Sequence, residues 1–148
     1  MTIFLTILAG VCTYVIGQLV MKLLIDPIHD FKRAIADISH ALIEYANVYT
    51  NPGVTGEESE KAASNILRKL SSQLNAQLYL IPRYDLIAKY FGLPARKNIA
   101  KATKHLIGLS NGVFKSAEGL ATSNGEKADK ICELLGIYSE QNEEDQKP

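Results

Sequence analysis

The chain is poor in cysteine and lacks the short motifs that mark common enzyme classes. Its 148 residues include no tryptophan and only two cysteines, Cys12 and Cys132, both in apolar surroundings. Two lone cysteines so far apart do not imply a disulfide scaffold. There is no glycine-rich phosphate loop, no His-Glu-x-x-His, no Cys-x-x-Cys and no nucleophile elbow. The sequence accordingly predicts no cofactor and no metal site.

Charge is absent from the start of the chain. Residues 1–21 contain no charged side chain, and the apolar character continues past Lys22 to Ile25. About 20 apolar residues are enough to cross the hydrocarbon core of a bilayer. We therefore predict that residues 1–25 form a membrane domain with one transmembrane helix over residues 3–25.

The apolar segment does not look like a cleaved signal peptide. No basic residue precedes it, and it ends in Leu-Leu-Ile-Asp-Pro rather than in a small-residue cleavage site. Lys22, Lys32 and Arg33 follow the segment closely. By the positive-inside rule this charge distribution predicts a single-pass protein of the inner membrane, with its N-terminus outside and the remaining residues in the cytoplasm.

The apolar segment has two different faces. Small side chains form one narrow stripe along the helix, and large apolar side chains lie opposite. The stripe consists of Thr6, Gly10, Thr13 and Gly17, and the opposite side carries Phe4, Leu8, Val11, Val15 and Leu19. Small residues allow helix backbones to approach closely, and aliphatic ones suit lipid. We call the stripe, together with Gln18, the assembly face, because an unpaired amide is costly in lipid.

This assembly face predicts contact with a helix from another molecule, since the chain offers only one span. The leading expectation is a homo-oligomer. If the face lines a ring of subunits, Thr6, Thr13 and Gln18 are the polar groups that would face a pore. A dry contact between helices is the alternative use of the same residues.

Apolar residues recur at steps of three and four after Asp26 and Pro27, which suit the cap and first position of a new helix. This heptad seam consists of Ile28, Phe31, Ile35, Ile38, Leu42, Tyr45 and Tyr49. It predicts either one face of an intramolecular bundle or a surface that also joins subunits. The seam is in phase with the assembly face if one helix runs straight through Pro27.

The rest of the chain predicts further helices and no strand. Capping boxes at Thr55-x-x-Glu58 and Ser123-x-x-Glu126 predict two helix starts, with residues 118–125 as a loop and a short helix over residues 84–91. We predict an all-α fold in which the transmembrane helix precedes a cytoplasmic bundle of five or six helices over residues 26–138. Residues 139–148 are charged and have no apolar anchor, which predicts a disordered acidic tail.

One polar stripe lies on the first helix of the bundle, opposite the heptad seam. It includes Asp37, His40 and Glu44, which are mainly expected to form a solvated face with i,i+4 pairs, and no fourth ligand accompanies them for a metal.

Arg33 and His40 are separated by six residues, and this spacing resembles the motif of HEPN nucleases. That resemblance implies a small helical domain that dimerises and cuts RNA, with Arg33 holding phosphate and His40 acting as general acid or base.

The layout as a whole resembles certain CRISPR-associated membrane proteins, which join one N-terminal span to a HEPN-like helical part. The resemblance implies oligomerisation into membrane pores during antiphage defence. It also resembles small, uncharacterised bacterial single-pass proteins, and these imply no activity.

Residues 83–115 are predominantly basic, since they contain seven lysine and arginine residues and one acid, Asp85. The part that we call the basic patch is Arg96, Lys97, Lys101 and Lys104. A solvated helix face is the plainest interpretation; anionic lipid of the inner leaflet, nucleic acid and an acidic partner are the alternatives. The nearby aromatic residues Tyr84, Tyr90 and Phe91 are interpreted as core rather than as stacking platforms.

These observations favour a non-enzymatic function. The expected protein is a membrane-anchored helical module that assembles with itself through the assembly face and the heptad seam. The alternatives are an Arg33/His40 ribonuclease and a membrane adaptor that recruits a cytoplasmic partner through the basic patch.

Overall fold

The computed structural model describes residues 1–114 and 119–137. Seven α-helices occur in these residues: α1 (Thr2–Val20), α2 (Asp26–Glu44), α3 (Ala46–Thr50), α4 (Glu57–Leu80), α5 (Tyr84–Phe91), α6 (Arg96–Gly112) and α7 (Leu120–Leu135). The all-α prediction is confirmed, with one long apolar helix at the N-terminus followed by six bundle helices in the described part. Tyr138 and the predicted disordered tail over residues 139–148 lie outside the described residues.

α1 and α2 form one continuous helix of 43 residues, from Thr2 to Glu44. A π-helical turn, Met21–Ile25, joins them, and the Asp26 N–H donates to the Met21 carbonyl five residues earlier. Pro27 has no N–H, and its ring crowds the carbonyl four residues before it, so a wider turn at this point relieves an otherwise strained helix. The sequence interpretation of Asp26 as the cap of a new helix is therefore wrong.

The π-helical turn changes the direction in which the side chains of α2 point relative to those of α1. It contains about one residue more than an α-helical turn, which rotates everything beyond it by about 100° relative to an unbroken α-helix. The assembly face of α1 and the heptad seam of α2 therefore do not lie on one straight line. The in-phase alignment that the sequence allowed required a regular helix through Pro27.

The bundle is built from antiparallel neighbours. Arg68 of α4 donates to the Asn111 side chain, and Ser71 Oγ donates to the Thr103 carbonyl at 3.3 Å, so α4 and α6 run in opposite directions. α2 and α4 are joined by α3 and a short loop, as expected for an antiparallel pair. We call the end where α1 leaves the bundle the near end, and the end that holds α3 and residues 51–56 the far end.

The core of the bundle lies entirely after the apolar helix. Its buried apolar side chains begin at Ile28 and end at Leu135, and α1 contributes none of them. The largest fully buried side chains include Tyr84, Phe31, Ile38, Leu67, Leu74, Ile99, Leu106 and Ile131. The apolar repeat of each long helix meets its neighbours here, which is what stabilises helices in a small domain.

Three local predictions are wrong. The helix that carries the heptad seam ends at Glu44, because Tyr45 has φ −98° and ψ 15°, and the chain restarts as α3. α4 is preceded by Gly56 at φ 98°, where no side chain caps it, and the hydroxyl of Thr55 makes no hydrogen bond within the described part of the chain. α7 begins at Leu120 rather than at the predicted Ser123 capping box.

Candidate functional site

α1 is exposed along its whole length. None of its residues is buried by the bundle, and its side chains include Phe4, Ile7 and Val11 at the surface. A core helix of a soluble protein would instead be covered by its neighbours. In the described part of the chain, the helix that begins with α1 is the one that is long and apolar enough to span a membrane.

The assembly face is smooth and open. Thr6 Oγ1 donates to the Thr2 carbonyl at 3.0 Å, and Thr13 Oγ1 donates to the Ala9 carbonyl at 2.9 Å. Each hydroxyl proton is therefore used within the same helix. Apart from the adjacent residues and the backbone of its own helix, a Cβ built on Gly10 or Gly17 would meet no atom of residues 1–114 and 119–137 within 4 Å. The chain leaves this face free for the close approach of another helix.

The heptad seam lies inside the bundle. Five of its residues, Ile28, Phe31, Ile38, Leu42 and Tyr49, are buried, and Ile35 and Tyr45 are partly buried against the same core. The Tyr49 hydroxyl donates to the Leu42 carbonyl at 3.0 Å, where the end of α2 leaves carbonyl groups without helical partners. Little of the seam is left to contact a second subunit.

Arg33 and His40 lie on the exposed side of α2 and are not brought together within one chain. Their seven-residue spacing separates them by about 10 Å along the helix axis. The Arg33 side chain is 76% exposed, with Nη1 3.9 Å from Asp30 Oδ1. The His40 side chain is 79% exposed, with Nδ1 3.5 Å from Glu44 Oε2. Each of the two groups thus lies near an acid of its own helix.

A shallow groove of about 260 Å³ runs between α2 and α4 beside His40. It is lined by Asp37, His40, Ala41, Glu44, Ile66, Lys69, Leu70 and Gln73, and Arg33 is not part of it. Two carboxylates at the groove disfavour a phosphate backbone. No group of three or more metal-ligating side chains is arranged to hold an ion in residues 1–114 and 119–137.

The basic patch divides into two parts. Arg96 contacts other side chains, since its Nε lies 3.6 Å from Asp85 Oδ1 and its guanidinium carbon lies 5.5 Å from the centre of the Tyr84 ring. Lys97, Lys101 and Lys104 are exposed on one face of α6. Arg96 therefore ties α6 to α5, and the three lysines form the solvated part of the patch.

Tyr84 is the centre of the near end. It is 1% exposed, and its ring packs edge-on against Phe31 with centroids 5.7 Å apart. Its hydroxyl donates to the Pro94 carbonyl at 2.7 Å. Burial raises the pKa of Tyr84 to about 12, although the Arg96 cation acts in the opposite direction, so the phenol keeps its proton at neutral pH. These contacts fix α5 beside the start of α2.

The interpretation of all three aromatic residues around α5 as core is correct for Tyr84 and wrong for Tyr90. Tyr90 is 85% exposed, and Phe91 is partly exposed. Leu86, four residues before Tyr90, is exposed on the same helix. The sequence contains a pattern that indicates this exposure. Leu86 and Tyr90 lie on one side of the helix, and Tyr84 and Ala88 lie on another.

Comparison of the chain with protein-family models, with curated proteins and with solved structures found no match. The resemblance to HEPN nucleases therefore rests on Arg33 and His40 alone, and the geometry of these residues is that of an exposed helix face. The feature with the clearest physical consequence is α1, which is apolar and uncovered.

Proposed function

We propose that the chain is a membrane-anchored helical module whose α1 spans the bilayer and joins copies of the chain. The observation that carries this proposal is the complete exposure of an apolar 19-residue helix that the bundle does not cover. Such a surface is costly in water and is stable when lipid or another apolar helix covers it. In a bilayer, both lipid and an apolar helix of another chain are available to cover this surface.

Retention of α1 is supported by its continuity with the bundle. α1 passes through the π-helical turn into α2 without a loop, and core residues begin only a few positions later at Ile28. Cleavage near residue 25 would have to cut within a helix. Lys22, Lys32 and Arg33 on the bundle side favour a cytoplasmic bundle and an external N-terminus.

Self-assembly is proposed to use the assembly face alone. The heptad seam is taken up by the core of the bundle, whereas Gly10 and Gly17 are open. The hydroxyl protons of Thr6 and Thr13 are bonded within their own helix, which favours a dry helix contact over a pore lined by these groups. The pore and the antiphage role implied by the resemblance stay predictions.

Cysteine labelling tests the anchoring and the orientation. In a chain with Cys12→Ala and Cys132→Ala, we expect Thr2→Cys to react with an impermeant maleimide on intact bacterial spheroplasts. Val54→Cys, exposed at the far end, should react only after lysis. The physical reason is that the bilayer separates the two ends of the long helix.

The reverse labelling pattern would contradict the orientation. Release of the protein from the membrane fraction by an alkaline carbonate wash would contradict the anchoring itself. Wild-type chain carried through the same fractionation controls for effects of the substitutions.

A further inference from the structure

The near end of the bundle exposes large apolar side chains that the core does not use. They lie where α4 turns into α5, within residues 79–91. Tyr79, Leu80, Leu86 and Tyr90 are all exposed there, each by more than half of its surface. Scattered exposed apolar residues are ordinary, but four of them within thirteen residues at one end of a bundle are not.

The fold places this segment close to the membrane that α1 is proposed to span. Tyr84, at the start of α5, packs on Phe31, and Phe31 follows the predicted membrane boundary at Ile25 by six residues. Six helical residues correspond to about 9 Å along the axis. The polar headgroup layer extends about 5–8 Å beyond the hydrocarbon core. α5 therefore lies at the outer edge of the headgroup layer.

α5 carries apolar residues on both its buried and its outward side. Tyr84 and Ala88 are buried against the bundle. Leu86 and Tyr90 occupy the outward face, four residues apart, and Lys89 is exposed between them in sequence. Tyrosine with aliphatic neighbours and a basic residue is the composition that membrane–water interfaces favour.

The charge of the segment is also suited to anionic lipid. Arg83 and Lys89 are exposed, and the one acid of α5, Asp85, lies 3.6 Å from Arg96. Each cation held near an anionic leaflet contributes attraction, and this attraction decays within about 8 Å at physiological salt. Lys101 and Lys104 lie about 8 and 12 Å farther from the near end than Arg96, so they contribute less.

We infer that the outward face of α5 docks on the anionic headgroups of the membrane that α1 spans, with Leu86 and Tyr90 entering the interface and Arg83 and Lys89 contacting lipid phosphate. This inference rests on the anchoring proposed above and deepens it, because it gives the bundle a fixed face toward the bilayer. The contacts of Tyr84 with Phe31 and Pro94 hold α5 in place for this role.

Lipid photo-crosslinking tests the docking in the full chain. The photoreactive amino acid p-benzoylphenylalanine replaces Tyr90, Leu8 or Val54 in protein reconstituted in nanodiscs of phosphatidylcholine and phosphatidylglycerol. We expect lipid adducts at position 8 in the span and at position 90, and none at position 54 at the far end. Adduct yield at position 90 should fall about fivefold with Arg83→Glu and Lys89→Glu, or when phosphatidylcholine alone forms the nanodisc.

The three positions separate the failure of the docking from the failure of the anchoring. Adducts at position 8 without adducts at position 90 would overturn the docking and leave the anchor. No adduct at either position would overturn the anchor as well. Crosslinks from position 90 to a second protein chain would assign this face to a protein partner, and equal yields in both lipid mixtures would contradict the role of Arg83 and Lys89.

Discussion

Replacing Gly10 and Gly17 with leucine is expected to convert the assembled protein largely to monomer in lipid. The two glycines lie two turns apart on the same side of α1, and no other described residue occupies the space in front of them. Leucine side chains there would hold two helix backbones apart and remove the close packing that drives association within a bilayer. A loss of about 1.4 kcal/mol would already weaken association about tenfold.

Native mass spectrometry of protein released from nanodiscs measures this effect, with wild-type chain alongside. The matched control is Val11→Phe with Val15→Phe, which adds bulk to the opposite side of the same helix. The control should keep the wild-type mass distribution. An unchanged distribution in the glycine variant would contradict assembly through this face, and disruption by the valine variant alone would place the contact on the other side.

Replacing Asn124 with leucine is expected to lower the free energy of unfolding by about 3 kcal/mol. Asn124 is fully buried at the start of α7. Its Nδ2 donates to the Tyr49 carbonyl at 3.0 Å and to the Gly112 carbonyl at 3.3 Å, near the ends of α3 and α6. Leucine has a similar volume but leaves both carbonyls buried without this partner, and each such loss costs about 1–3 kcal/mol.

Urea unfolding followed by circular dichroism measures this change in full-length protein kept in a mild detergent. Asn75→Leu on the exposed side of α4 is the matched control, because it makes the same chemical change without burial. The control should change stability by less than about 0.5 kcal/mol. If Asn124→Leu costs no more than Asn75→Leu, the far end is not held together by this amide.

Gly112 offers an independent check on the same contact. A Cβ added at Gly112 would clash with Asn124 Oδ1, so Gly112→Ala must displace the amide. In a chain that already carries Asn124→Ala, the same substitution should be less costly, since the clashing group is absent. Additive effects in this double-mutant cycle would show that the two residues do not interact.

Helical periodicity in the sequence was enough to predict most of the bundle. Steps of three and four identify the face of α2 that the core buries, and the short helix predicted over residues 84–91 has the bounds of α5. These features depend on residues close together in the chain. The position of the small-residue stripe on α1 is of the same kind, because the phase of one helix determines it.

The features that the sequence did not reveal depend on hydrogen-bond register or on distant partners. A periodic pattern shows where apolar residues recur, but it does not distinguish a π-helical turn from a helix end at Pro27. The capping box predicted at Thr55 does not form, because Gly56 adopts φ 98° and turns the chain before α4 begins. The sequence does not reveal the hydrogen bond of Asn124, because its partner Tyr49 lies 75 residues away in the chain.

The groups that decide the proposed function lie on surfaces that a single chain cannot complete. Thr6, Gly10 and Gly17 have a clear geometry but no neighbour, since their proposed partner is another copy. Tyr90 is exposed, although the sequence interpretation assigns it to the core. Only the contacts of Tyr84 with α2 show that the opposite face of α5 stays outside.

The mass of the wild-type protein in lipid tests the central claim most directly. Native mass spectrometry of the full chain, released from nanodiscs at a low protein-to-lipid ratio, gives the number of copies in each particle. The account predicts one defined homo-oligomer that persists on dilution with empty nanodiscs. A monomer under all these conditions would contradict self-assembly through α1.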